Sequence, residues 1–494
     1  MAGPGLAARR VAFDVISAVT SRDAYANLLL AAALRRHGLS GRDAALATEL
    51  VYGTLRGRGQ YDAIIAACAD REPAAIDDEV LDLLRLGAHQ ILGMRTPPHA
   101  AVATAVDLAV QAAGRRRASF VNAVLRRVAT HDLASWLQIV APDRAADPVG
   151  HLSVRYSHPR WIVAAIAEAL GDQPPGALAE TERALAADRQ PPGVTLAAVP
   201  GLSDAAELAA AGAAPARWSP YGAHLAGEPG AVPALAQGRA GVQDEASQLA
   251  VLALARAASA AGAAGGRWLD LCAGPGGKAR LLAGLAAQAG AFLVAADVRA
   301  HRARLVARAL APLVASRAPA GDRGPAGRPG GAGGAGGAAG VPGAAAWRVL
   351  VADGTRPAWR PGIFDLVLAD VPCSGLGSLR RRPEARWRRR PEDVAALGGL
   401  QRALLAAAIR SARPGGVVAY VTCSPHVAET RSVVGDVLAG HRGVEVLDAP
   451  GCLPEVPGLR CPGPHQRYAQ FWPHRHGTDA IFVALLRVRA RGGG

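Results

Sequence analysis

The chain has 494 residues, half of them hydrophobic, and a formal charge of +15. That length points to two or three domains. No run of eighteen strongly apolar residues occurs, so no membrane span is predicted. The N-terminal "MAGPGLAARR" runs into a stretch charged at Asp14, Arg22 and Asp23, which is no secretory apolar core, and a cytoplasmic protein is expected. In that reducing compartment the six cysteines are expected as thiols rather than disulfides. The positive charge suggests a polyanionic partner, nucleic acid being the commonest. Arginine fills almost every cationic position. Lys278 is the single lysine, kept where a compact ammonium serves and a planar guanidinium does not.

From residue 6 to about 132, apolar residues recur at helical spacing in "RRVAFDVISAV", "AALATELVYGTLRG", "EVLDLLRLGAHQILGM", "HAAVATAVDLAVQAA" and "SFVNAVLRRVA", separated by polar or proline-bearing turns. A compact all-helical domain over 1–135 is expected. A segment over 145–238 opens with the helix-like "PRWIVAAIAEAL" and holds a candidate strand at "GVTLAAV". It is expected to link the domains and is a candidate RNA contact.

Over 241–490 the pattern changes to apolar strand-length runs alternating with helices: "RWLDL", "KARLLAGLAAQ", "AFLVAAD", "RAHRARLVARALAPLV", "WRVLVAD", "FDLVLAD", "PEDVAALGGLQRALLAAAIRSA", "GGVVAYVT" and "VAETRSVVGDVLA". Such alternation predicts an α/β domain around a doubly wound, mostly parallel sheet, with ligands at the carboxyl ends of its strands. The Gly/Pro/Ala-rich stretch 315–346 has almost no large apolar side chains to offset its ordering entropy, and is expected as a disordered insertion.

The chemistry-bearing residues gather at predicted strand ends. "CAGPGGK" (272–278) follows "WLDL" and opens a helix; Gly274, Gly276 and Gly277 let backbone N–H groups approach a ligand. Neither the Walker A spacing nor G-x-G-x-x-G is present. Asp297, Asp353 and Asp370 end the next three strands, which suits a ligand with several polar handles such as adenosine with a charged tail. Cys373 in "ADVPCSG" and Cys423 in "VTCSPH" each follow an apolar run. Packing, a disulfide, metal ligation or paired chemistry would each explain them. "RRRPEARWRRR" (380–390) sets seven arginines around Trp387 and suggests phosphate contact. Cys461, His465, His474 and His476 lie close in sequence but lack a C-x-x-C partner, so no metal site is expected.

These motifs resemble a family. "DLCAGPGGKA", "DVPCSGLG" with "RRRPEARW", and "YVTCSPHVAET" are similar to the signatures of bacterial Sun/Fmu-type ribosomal RNA cytosine-5 methyltransferases, and "GVQDEASQLA" to the family's lead-in helix. "AALATELVYGTLRGRGQYD", "LLRLGAHQIL", "PHAAVATAVDLA" and "FVNAVLRRV" resemble a NusB-type RNA-binding domain. The resemblance implies a Rossmann-like domain using S-adenosyl-L-methionine, and ribosomal RNA or a small ribosomal subunit precursor as partner, the protein acting as a monomer. It implies cofactor contacts from Cys272, Ala273, Gly274, Pro275, Gly276, Gly277 and Lys278, from Asp297 at the ribose and Asp353 near the adenine, and from Asp370 at the junction with the target base. It implies Cys423 as nucleophile and Cys373 as the group resolving the adduct, with Asp370 and Lys278 beside them. Arg380, Arg381, Arg382, Arg386 and Arg388 are the expected RNA contacts.

Two thiols suit this chemistry. Carbon 5 of cytosine is a poor nucleophile until a thiolate adds at carbon 6, and the adduct must afterwards lose a proton and expel the sulfur. Three alternatives stay open: a transfer RNA target, Cys373 as nucleophile in the manner of DNA cytosine methyltransferases, or a non-catalytic RNA-binding scaffold. The chain departs from the family pattern at Thr430, at Ala480-Ile481 and in "GVTLAAV", which lacks the usual Arg-x-Asn.

Overall fold

The computed structural model describes residues 5–94, 96–172, 178–227, 229–315 and 346–490. The chain forms two compact units: Met1–Pro192 with Ser378–Asp393, and Gly193–Gly377 with Val394–Gly494. This differs from the expected boundaries. The middle segment divides near residue 192: helices Pro148–Tyr156, Arg160–Leu170 and Ala179–Asp188 lie in the helical unit, and its strands with the short helices Ala205–Ala210 and Pro233–Ala236 lie in the sheet unit. The insertion expected at 315–346 lies almost entirely outside the described residues.

In the helical unit, Gly41–Ala69 packs with Leu6–Arg22 and Asp78–Leu92 around a core that includes Ile16, Leu50, Ile64, Leu84 and Leu125. Aspartates start several helices by accepting otherwise unpaired N–H groups: Asp77 from Val80, Asp132 from Ser135 and Asp147 from Gly150. Arg85 joins helices electrostatically, forking onto Asp62 at 2.6 and 2.8 Å and reaching Asp82 at 2.9 Å. Among the described residues no helix is long and apolar enough to cross a membrane.

The arginine-rich stretch belongs to this unit by its contacts, and one of its members, Arg386, is corrected by the structure. Arg386 is fully buried. Its guanidinium donates to the backbone carbonyls of Arg56 at 3.1 Å, Ser157 at 3.4 Å and Asp188 at 2.7 Å. Arg388 donates to the Ala24 carbonyl at 2.7 Å and stacks over Tyr25 at 5.0 Å. Arg386 is a structural clamp rather than an RNA contact, since five fixed N–H donors suit buried carbonyls that would otherwise go unpaired, whereas Arg388 stays partly exposed. Arg380 and Arg381 are half-buried and Arg382 is exposed. Arg386→Ala is expected to destabilise the helical unit by about 3 kcal/mol. Chemical denaturation reads this as a lower midpoint, while the salt dependence of RNA binding keeps its slope.

The sheet unit begins with a small antiparallel sheet of β1 (Val194–Ala198), β2 (Ala213–Pro215), β3 (Gly222–Leu225) and β4 (Ala240–Val242), ordered β2-β3-β1-β4. The main sheet comprises β5 (Arg267–Asp270), β6 (Phe292–Asp297), β7 (Trp347–Val351), β8 (Phe364–Asp370), β9 (Ala412–Thr422), β10 (Val444–Val446), β11 (Ala469–Gln470) and β12 (Phe482–Val488). Its order is β10-β12-β9-β8-β5-β6-β7, with β11 beside β12. The five strands β7, β6, β5, β8 and β9 are parallel, whereas β12 runs antiparallel to β9 and to β10. Their near-continuous apolar runs, such as Val417–Val421, are those of strands covered on both faces. From β5 the chain winds outward through β6 and β7, then crosses to β8 on β5's other side. The switch point therefore lies between β5 and β8, where a crevice opens at their carboxyl ends.

Candidate active site

Three loops converge at that edge. The first leaves β5 as Cys272–Gly277 and enters helix Gly277–Gln288. Gly276 has φ +113°, and a Cβ there would lie 2.9 Å from the Ala309 side chain, so only glycine fits the turn. Asp297, buried at the end of β6, accepts from Gly274 N at 3.0 Å and from Arg299 N at 2.8 Å, tying this loop to the second strand end. Asp353 lies just past β7, exposed, and accepts from Thr355 N at 2.9 Å and Thr355 Oγ1 at 2.7 Å.

The second and third loops carry the thiols. Cys373 follows β8 and Cys423 follows β9, which pair in parallel with Asp370 opposite Val421. That register brings the two Sγ atoms to 3.1 Å, and both cysteines are free thiols. Gly377 holds the loops together: its N–H donates to the Cys423 carbonyl at 2.8 Å, and its carbonyl accepts from Ala480 N at 2.8 Å. A Cβ at Gly377 would lie 1.9 Å from the Ala480 oxygen, so no larger residue is accommodated.

Lys278 Nζ donates to Asp370 Oδ2 at 2.8 Å, the ammonium largely buried. Burial works against the ammonium, but the Asp370 carboxylate outweighs it and holds Lys278 above its ordinary value. Asp270 lies beneath this pair, also buried, and burial with the nearby Asp370 charge pushes its carboxyl up to about 8.

The thiols are electrostatically unequal. The hydrogen bond from Cys373 brings Cys423 below the usual thiol range, with help from Lys278 and against burial and Asp370. Cys373 is pushed well up by the same hydrogen bond, by burial and by Glu429. The two thiols are thus biased in opposite directions, Cys423 toward ionisation and Cys373 against it. Cys272 is raised by burial and by three surrounding aspartates, which leaves it an inert thiol. Cys461 is buried and pushed up to about 12. His476 accepts from Trp472 N at 2.9 Å with its other ring nitrogen 3.0 Å from the Pro457 carbonyl, as a packing histidine does. Among the described residues no group of three or more metal-ligating side chains could hold a metal ion.

A profile of the 16S rRNA methyltransferase RsmB/F family matches residues 260–318 and 343–487, and one of the NusB family matches 6–130. A Mycobacterium tuberculosis protein whose name assigns it to the methyltransferases is 50% identical over 97% of this chain and 96% of its own. The ribosomal RNA small subunit methyltransferase B of Pseudomonas putida is 30% identical over 99% of this chain and all of its own length. The chain belongs to the RsmB/F family of 16S rRNA methyltransferases. The crystal structure of PH0851 shares the fold, with a TM-score of 0.72 at 20% identity over 98% of this chain and 99% of that one.

As a member of the RsmB/F family the chain is an RNA methyltransferase, and S-adenosyl-L-methionine is its cofactor. The residues at the switch point fit that group. Gln243 Nε2 lies 3.9 Å from where a Cβ on Gly277 would sit, and both polar atoms of Gln243 are buried without a partner in the chain. These two Gln243 atoms, beside the glycine loop, are polar capacity the protein does not use internally. Sequence reasoning does not single out Gln243, Asp270, Ser374, Gly377, Ser424 or Glu429 as site residues, although all of them lie within the quoted motifs. Glu429 reaches Ser374 and Gln401 across 55 and 28 residues, and Gly377 reaches Cys423 and Ala480 across 46 and 103, so spacing alone could not expose these contacts.

Proposed function

We propose that the chain transfers a methyl group to carbon 5 of a cytosine in 16S ribosomal RNA, through a covalent adduct of Cys423 at carbon 6. The observation carrying this reading is the unequal thiol pair, 3.1 Å apart at adjacent strand ends beside the Lys278–Asp370 pair. The bound cofactor supplies the electrophilic methyl group. The Cys423 thiolate adds to carbon 6 and makes carbon 5 nucleophilic; once carbon 5 is methylated, a base takes its proton, the electrons of that C–H bond re-form the carbon 5–carbon 6 double bond, and Cys423 departs as the thiolate. Cys373, whose sulfur lies 3.1 Å from the first, would be that base once it has given up its own proton. Asp370 and Lys278 form a charged pair that would meet the polar edge of the base. The glycine loop from Cys272 to Gly277, with Asp297, would hold the cofactor, and Asp353 would face its adenine end.

The target base must be unpaired or extruded to reach the sulfur. The NusB-like half and the small-subunit names of the relatives favour ribosomal RNA over transfer RNA, and the protein would act on it in the cytoplasm as a monomer. Bisulfite mapping of 16S RNA from a strain lacking the gene tests this. One cytosine that resists conversion in the parent should convert in the deletion strain and resist again on complementation. An unchanged ribosomal RNA map with a lost transfer RNA signal would overturn the ribosomal assignment.

A further inference from the structure

Glu429 lies six residues beyond Cys423 and is completely buried. Four neutral donors converge on its carboxylate: Ser374 N at 2.7 Å, Ser374 Oγ at 2.5 Å, Ser424 Oγ at 2.6 Å and Gln401 Nε2 at 3.1 Å. The two serines are the residues immediately after the two cysteines. Gln401 also donates to the Pro372 carbonyl at 2.9 Å, immediately before Cys373. On the backbone, the Glu429 carbonyl accepts from Tyr420 Oη at 2.7 Å, which fixes the residue against β9. Burying a carboxylate is costly unless its lone pairs are satisfied, so an arrangement in which both thiol loops supply the donors couples those loops to one anion.

We propose that Glu429 is a positioning residue that locks the Cys373 and Cys423 loops in register and so holds the two sulfurs in contact. Its anchors lie one residue from each sulfur, so a shift of either loop would break a charge-assisted hydrogen bond. Its negative charge also opposes ionisation of Cys373, adding to the hydrogen bond from Cys423 and to burial. The effect on turnover rests on the covalent-adduct reading; the effect on the thiols does not.

The test uses full-length protein carrying Glu429→Gln, with Glu429→Asp as the conservative variant. Peptide mass spectrometry follows iodoacetamide alkylation of each cysteine against pH. In the wild type Cys423 is expected to react at lower pH than Cys373. In Glu429→Gln the two midpoints should converge. Cys423 alkylation at neutral pH should fall about tenfold, which corresponds to its midpoint rising by about one on the pH scale. The kcat should fall about 10- to 100-fold with KM for RNA unchanged, because the loss lies in the chemical step. Glu429→Asp should restore the order of the thiols and part of kcat, which a purely structural role would not produce. Should Glu429→Gln fail to fold, Ser374→Ala and Ser424→Ala each remove one anchor and should lower kcat in the same direction. Unmoved midpoints or unmoved kcat in the folded variants would overturn the proposal. A covalent RNA adduct persisting in Cys423→Ala would instead defeat the adduct reading and leave the thiol order intact.

Discussion

Cys423→Ala is expected to lower methyl transfer to RNA by at least about 10³-fold, the scale on which a lost nucleophile acts. Cofactor and RNA binding should stay close to wild type. Cys423 caps no helix and ligates no metal among the described residues; its side chain meets the Cys373 sulfur. The alanine therefore removes a reacting atom and little else. If Cys423 were only a small buried hydrophobe, the same change would cost on the order of 1 kcal/mol of stability and leave turnover largely intact. Rapid-quench methylation together with cofactor binding by calorimetry separates these outcomes.

Cys373→Ala is expected to act later in the cycle. The first round of adduct formation and methylation proceeds, release stalls, and a protein–RNA complex stable to denaturing electrophoresis accumulates. Steady-state kcat should fall by about 10²–10⁴-fold, the usual contribution of a positioned proton-transfer group. The alanine also removes the hydrogen bond that lowers Cys423, so that thiol should ionise at higher pH. The rate of adduct formation should accordingly rise at a higher pH than in the wild type. Single-turnover assays across pH, with gel analysis of the covalent species, check both parts. An adduct that fails to accumulate in Cys373→Ala, but does so in Cys423→Ala, would reverse the two roles.

The strand-end placement of the candidate residues is legible because parallel strands buried on both faces read as short, nearly unbroken apolar runs. "FDLVLAD" and "GGVVAYVT" mark where a strand stops and a side chain emerges into the crevice. The convergence of Cys373 and Cys423 follows once β8 and β9 pair in parallel, but their register rests on contacts across the sheet that no local spacing records. The arginine stretch shows the opposite case. Arg382 and Arg386 stand in one run of like charge, yet one is exposed and the other wholly buried against carbonyls from three distant segments. Composition reports the charge and not the face. The middle segment misleads for a related reason: β2 and β4 are three residues long, too short for a period to emerge, and their edge pairing with β3 and β1 assigns them to the sheet unit. β12 reads in the sequence only as part of a C-terminal motif; its antiparallel pairing with β9 extends that side of the sheet toward β10, and the residue just ahead of it, Ala480, bonds Gly377.

The central claim is that Cys423 is the attacking sulfur. Its most direct test incubates the wild-type protein with cofactor and small-subunit RNA containing 5-fluorocytidine, whose carbon-5 fluorine blocks release, and then identifies the cross-linked peptide by mass spectrometry. The nucleotide should be found on the peptide carrying Cys423, bonded through carbon 6. A cross-link to Cys373, or methylated RNA with no cross-link to either cysteine, would contradict the account.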